Sequence, residues 1–160
     1  MPKAFSPHAA AEYEELSAYL RFYFVVCKGV DAALFEKSSA EIKEKFGPSK
    51  ALIGLRQAVN DTIEDLAEAN SEAIGLLDRS LAERGHVSFS ELRRRYSVHY
   101  KKLIKRGRIR SDTEFYIVSG VVSDLSTKVS DEERVQLQHM IEVYERDAKA
   151  SPHQSASGAR

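Results

Sequence analysis

The chain has one cysteine, no net charge and no long apolar run, and these lacks narrow the class of protein. One of its 160 residues is cysteine, Cys27. A single cysteine closes no internal disulfide, so the disulfide-stapled scaffolds of small secreted domains are excluded. Cys27 follows Phe22-Tyr23-Phe24-Val25-Val26, and a thiol in such a run is expected to be buried and inert in a reducing compartment. That run is also the longest apolar stretch, far short of the roughly 20 residues that span a bilayer. The first residues, Met1 to Ser6, lack the apolar segment of a signal peptide. The expectation is a cytoplasmic protein without membrane contact.

The eight glycines are scattered singly, so no Gly-rich phosphate loop exists. The five histidines (His8, His86, His99, His139 and His153) show no His-x-x-x-His spacing. Glu83 with His86, and His139 with Glu142, each bring two ligand types within one turn. A metal site needs several such ligands converging, and no spacing brings these pairs together. No catalytic residue, metal ligand or cofactor is assigned, and the chain is expected to act by binding rather than by chemistry.

Helix signals are abundant. Ser6-Pro7 reads as an N-cap and first helical position, opening a helix that runs to about Cys27 or Lys28. Tyr13, Leu16, Leu20, Tyr23 and Phe24 line one face of it. Asp31 caps a second helix that ends at Gly47, with Leu34, Phe35, Ile42 and Phe46 predicted to face inward. Three Ser-x-x-Glu capping boxes follow: Ser88 with Glu91, Ser111 with Glu114, and Ser130 with Glu133. They start helices at about 89–106, 112–126 and 131–147. Phe115, Val118, Val122 and Leu125 are predicted inward on the second of these, and Leu137, Met140, Ile141 and Tyr144 on the third. Strand signals are lacking. The fold class is therefore all-α, an irregular helical bundle of about seven helices, with a single domain over 1–148 and a disordered C-terminal tail over 149–160.

Between Ser49 and Arg84 an apolar stripe holds one side of a helical wheel, within about 100° of arc. One continuous helix over about 49–84 would be about 54 Å long. That exceeds a compact domain of this size, whose radius of gyration is about 15 Å. Asn70, at the centre of the stripe, is open to two readings: a register-setting seam residue, or a helix boundary at Asn70-Ser71. If the helix is continuous, a homodimer would cover its overhang.

The neutral total hides an uneven distribution. Residues 1–91 carry 10 cations against 15 anions, residues 92–110 carry nine cations and no acid, and residues 111–160 carry five against nine. On the 89–106 wheel, Phe89, Leu92, Tyr96, Tyr100 and Leu103 form the apolar side. Arg94, Arg95, Lys101, Lys102 and Lys105 take the other, with Arg108 and Arg110 just beyond Gly107. This basic face is the candidate binding surface. An acidic stripe (Asp61, Glu64, Asp65, Glu68 and Glu72) lies opposite the apolar side of 49–84. Charge of this kind fits a protein partner, as in adaptor, immunity or antitoxin-like proteins, or another copy's acidic stripe. The alternative is a nucleic-acid-associated factor gripping phosphates through 92–110. A helix-turn-helix reading is weak, because an acid, Glu91, stands at the start of the would-be recognition helix.

Overall fold

The computed structural model describes residues 5–150, which form eight α-helices with no strand among them. Residues 151–160 of the predicted tail lie outside the described residues. Lys149 and Ala150 belong to the last helix.

Helix α1 (Pro7–Arg21) starts where predicted: the Ser6 Oγ accepts from the Ala9 amide at 3.1 Å. It buries Tyr13, Leu16, Tyr19 and Leu20, then widens into a π-helical segment, Phe22–Cys27. A π turn holds more residues than an α turn, so positions beyond it rotate off the inner face. Phe22 and Tyr23 stay buried, whereas Val26 and Cys27 turn outward. The expected burial of Cys27 is thereby corrected.

Helix α2 (Ala32–Phe46) is capped by Asp31, whose Oδ1 accepts from the Leu34 amide at 2.9 Å. It buries no residue, and Leu34, Ile42 and Phe46, predicted inward, are exposed. The helix lies outside α3 (Pro48–Asp65) and the π segment, with Phe35 alone among the predicted four packed against the core.

The continuous helix over 49–84 does not form. Helix α3 ends at Asp65 with Leu66 as its C-cap, and α4 (Ser71–Glu83) begins after a tight turn. Asn70 is a cap and not a seam residue, its backbone extended and its Oδ1 accepting from the Ala73 amide at 2.9 Å. Two shorter helices let Val59 and Ile63 on one side of the turn, and Ile74 and Leu81 on the other, reach the same core. With no overhang, the case for a dimer through this stripe loses its basis.

The basic helix also divides. Helix α5 (Phe89–Tyr96) gives way to α6 (Val98–Arg106) at Ser97, whose backbone is extended and whose Oγ accepts from the Tyr100 amide at 3.1 Å. Helices α7 (Asp112–Ser123) and α8 (Asp131–Ala150) complete the chain. Because α7 stops at Ser123, Leu125 falls in the connecting turn and is 89% exposed rather than inward.

Two apolar clusters result. The first gathers α1, α3, α4 and α5 around Leu16, Tyr19, Val59, Leu81 and Leu92. The second gathers α6, α7 and α8 around Leu103, Val118, Val121 and Leu137. Helix α7 packs on α4 and α5 as well as on α8, so a polar layer is trapped between the clusters. There Asp78 accepts from the Ser90 amide at 3.1 Å and from the Ser90 hydroxyl at 2.5 Å. Arg93 is 3% exposed, lies over the Phe89 ring and finds no hydrogen-bond partner for Nε or Nη2. Burial lowers its pKa to about 10, which leaves it charged at neutral pH. No helix among the described residues is long and apolar enough to cross a membrane.

Candidate anion-binding surface

The three capping boxes form only by half, and the missing half reorganises the basic segment. In each, the serine Oγ accepts the N3 amide: Ser88 from Glu91, Ser111 from Glu114 and Ser130 from Glu133, at 3.0 to 3.2 Å. None of the glutamates returns to its cap. All three carboxylates bind cationic or phenolic side chains instead.

Glu91, 1% exposed, accepts from Arg94 Nε at 2.9 Å, Arg94 Nη2 at 3.0 Å and Arg95 Nε at 3.1 Å. Burial raises its pKa, but the hydrogen bonds from Arg94 and Arg95 outweigh that and hold it below the usual carboxylate range. Arg94 also reaches Glu133 Oε2 at 3.4 Å, and Arg95 bonds Glu15 on α1. Glu133 accepts in addition from the Tyr100 hydroxyl at 3.0 Å. Glu114 receives Arg106 Nη2 at 2.5 Å, the Arg110 amide at 2.7 Å and His99 Nε2 at 3.2 Å. Burial raises it too, and the Arg106 and Arg110 bonds again prevail.

The predicted basic face therefore splits by residue. Arg94 and Arg95, expected to point into solvent, are mostly covered and spend their donors inside the molecule, because Glu91 stands one turn before them at i,i+3 and i,i+4. Lys101, Lys102, Lys105, Arg108 and Arg110 are exposed. Among the described residues none of these five side chains has a carboxylate partner within ion-pair distance. They form a cationic ridge along α6 and the segment after Gly107.

The acidic stripe is exposed as predicted but is not one ladder. Asp61, Glu64 and Asp65 lie on α3, Glu68 in the turn and Glu72 at the start of α4. Asp65 accepts from the Tyr23 hydroxyl at 3.2 Å. No salt bridge joins the stripe to the basic segment among the described residues.

One end of the ridge opens into a basin of about 710 Å³ between α1, α3, α5, α6 and the α7–α8 link. Arg94, Arg95 and Lys101 meet there with His8, Arg56, Tyr96 and Lys128, facing Glu12, Glu15 and Glu91. Arg56 grips Glu12 through two parallel bonds of 2.8 and 2.7 Å, and the Tyr96 hydroxyl donates to Glu12 at 2.7 Å. The Arg56 bonds take the Glu12 pKa down to about 2, against a smaller opposing effect of burial.

Sequence reasoning missed Glu12, Glu15, Arg56 and Lys128, whose partners stand 34 to 84 positions away. It also missed the pairing of Glu91 with Arg94 and Arg95, which helical spacing alone signals. Among the described residues no three His, Cys, Asp or Glu side chains converge as a metal-ligand set. Compared with known proteins, the chain matches no protein-family model, no curated protein and no solved structure.

Proposed function

We propose that the protein is a helical binding module that acts through contact and not chemistry, and that its binding element is the cationic ridge Lys101–Arg110 with an acidic protein as partner. The carrying observation is the division of the basic segment: its half-covered arginines Arg94, Arg95 and Arg106 are matched by internal carboxylates, while Lys101, Lys102, Lys105, Arg108 and Arg110 are exposed and have no counterion among the described residues. Charges left unmatched along one edge steer an oppositely charged partner and suppress a like-charged one. An adaptor, immunity or antitoxin-like role fits such a surface.

A second reading has the ridge holding nucleic-acid phosphates. It is favoured by the lack of any acid between Leu92 and Arg110, which gives the uninterrupted positive strip that backbone contacts use. Capture from lysate with and without nuclease separates the two. Under the first reading a stoichiometric acidic protein survives nuclease and is lost from a Lys102→Glu/Lys105→Glu/Arg108→Glu variant. Loss of all retained material on nuclease treatment would transfer the ridge to the second reading.

A further inference from the structure

The ridge accounts for the free lysines of α6 but not for the basin at its end, which is built differently. Its arginines are held in place by carboxylates and still have donors to spare. Arg56 uses Nε and Nη2 on Glu12, which leaves Nη1 without a partner among the described residues. Arg95 uses Nε on Glu91 and Nη1 on Glu15, which leaves Nη2. Lys101 and Lys128 are exposed and have no carboxylate partner among the described residues.

The geometry points to a phosphoryl-binding site in this basin, with Arg56, Arg95, Lys101 and Lys128 as its donors. Five Lys and Arg side chains line it against three carboxylates, so the walls carry excess positive charge. Each of those carboxylates is already bonded to a guanidinium, which weakens its repulsion of an entering anion. The guanidiniums are oriented before any ligand arrives, so little ordering entropy opposes binding.

The ligand class follows from the distribution of donors. They come from α3, α5, α6 and the α7–α8 link, so one carboxylate with two oxygens and a single charge would satisfy only a fraction of them. A phosphoryl group offers three acceptor oxygens and close to two charges. Apart from His8, Ala11 and Tyr96, every residue lining the basin is a Lys, an Arg or a Glu. That charge favours a compact polyanion or a phosphorylated side chain over a neutral ligand.

This inference rests on the reading of the chain as a binding module, but it uses different residues from the test of that reading. The probes are sodium tripolyphosphate and a short phosphoserine peptide, each titrated calorimetrically into the full chain at low ionic strength. Saturable binding of at least one is expected, and the one that binds identifies the source of the phosphoryl group. Lys101→Gln/Lys128→Gln should weaken it at least tenfold, whereas Lys102→Gln/Lys105→Gln should change it by less than about twofold. These lysines are exposed, so neither pair should impair folding, and urea denaturation checks this. Equal weakening by both pairs would show a diffuse charge effect and overturn the site, as would saturable binding of neither probe. Loss of the partner from a ridge variant that still binds the probe would leave the site standing; an intact ridge interaction with no probe binding would sink the site alone.

Discussion

Arg94 bonds Glu91 on its own helix and Glu133 at the start of α8, and so ties the first apolar cluster to the second. A residue whose place on the wheel puts it in solvent is in this way part of the frame. The same holds for Arg95, which ties α5 to α1 through Glu15. The frame leaves the lysines of α6 free, and the functional reading depends on that separation.

Glu91 should be the most sensitive carboxylate in the protein. Removing it leaves two partly covered guanidiniums without their counterion, and losing one partner of a buried ion pair costs about 3–5 kcal/mol. Arg94 and Arg95 keep Glu133 and Glu15, so Glu91→Ala should cost about 2–3 kcal/mol in urea denaturation. Lys102→Ala, at an exposed position with no ion-pair partner among the described residues, should fall within about 0.5 kcal/mol of the parent protein. Similar losses for both would contradict the division of the segment.

Much of the local structure can be read from neighbouring residues. Ser6, Asp31, Ser88, Ser111 and Ser130 cap the helices they are predicted to cap, because a cap is a contact over three residues. Asn70 shows where local reading stops. The same side chain suits a seam or a cap, and the choice falls to the cap because two short helices bury more of their apolar faces than one long one. Leu34, Ile42 and Phe46 share the periodicity of core residues, yet among the described residues no other element covers α2 on that side. The basin was illegible for a related reason. Arg95 meets Glu15 across 80 positions and Arg56 meets Glu12 across 44, and no spacing rule reaches so far.

Two glycines inside helices should respond in opposite directions to alanine. A Cβ on Gly120 would lie 3.2 Å from Ser90 Oγ and 3.5 Å from Arg93 Nη2. The Ser90 hydroxyl is fully buried and held by Asp78, so it has no room to give way. Gly120→Ala should therefore destabilise by about 1–2 kcal/mol through overpacking. A Cβ on Gly54 would meet nothing within 4 Å, so Gly54→Ala should stabilise by about 0.5–1 kcal/mol. Thermal denaturation of the two variants gives the signs.

The Glu12–Arg56 pair should make stability depend on acid. Glu12 falls from 4.5 to about 2 in the folded protein, so its contribution is complete above pH 4.5 and is lost as pH drops towards 2. Arg56 is nearly half exposed, and solvent screening limits the contribution to about 1–2 kcal/mol. The stability gap between the parent and Glu12→Gln should hold above about pH 5 and narrow steadily as pH falls from 4.5 towards 2. A gap constant over that range would show that the pair does not shift the titration of Glu12.

The most direct test of the ridge is partner retention by a Lys102→Glu/Lys105→Glu/Arg108→Glu variant, after nuclease treatment and beside the unaltered chain. The urea midpoint should be unchanged, since none of the three side chains has an ion-pair partner among the described residues. The expected result is an acidic protein held by the unaltered chain, released as salt rises, and not held by the variant. Retention of the same partner by the folded variant, at the same salt, would contradict the assignment of binding to Lys101–Arg110.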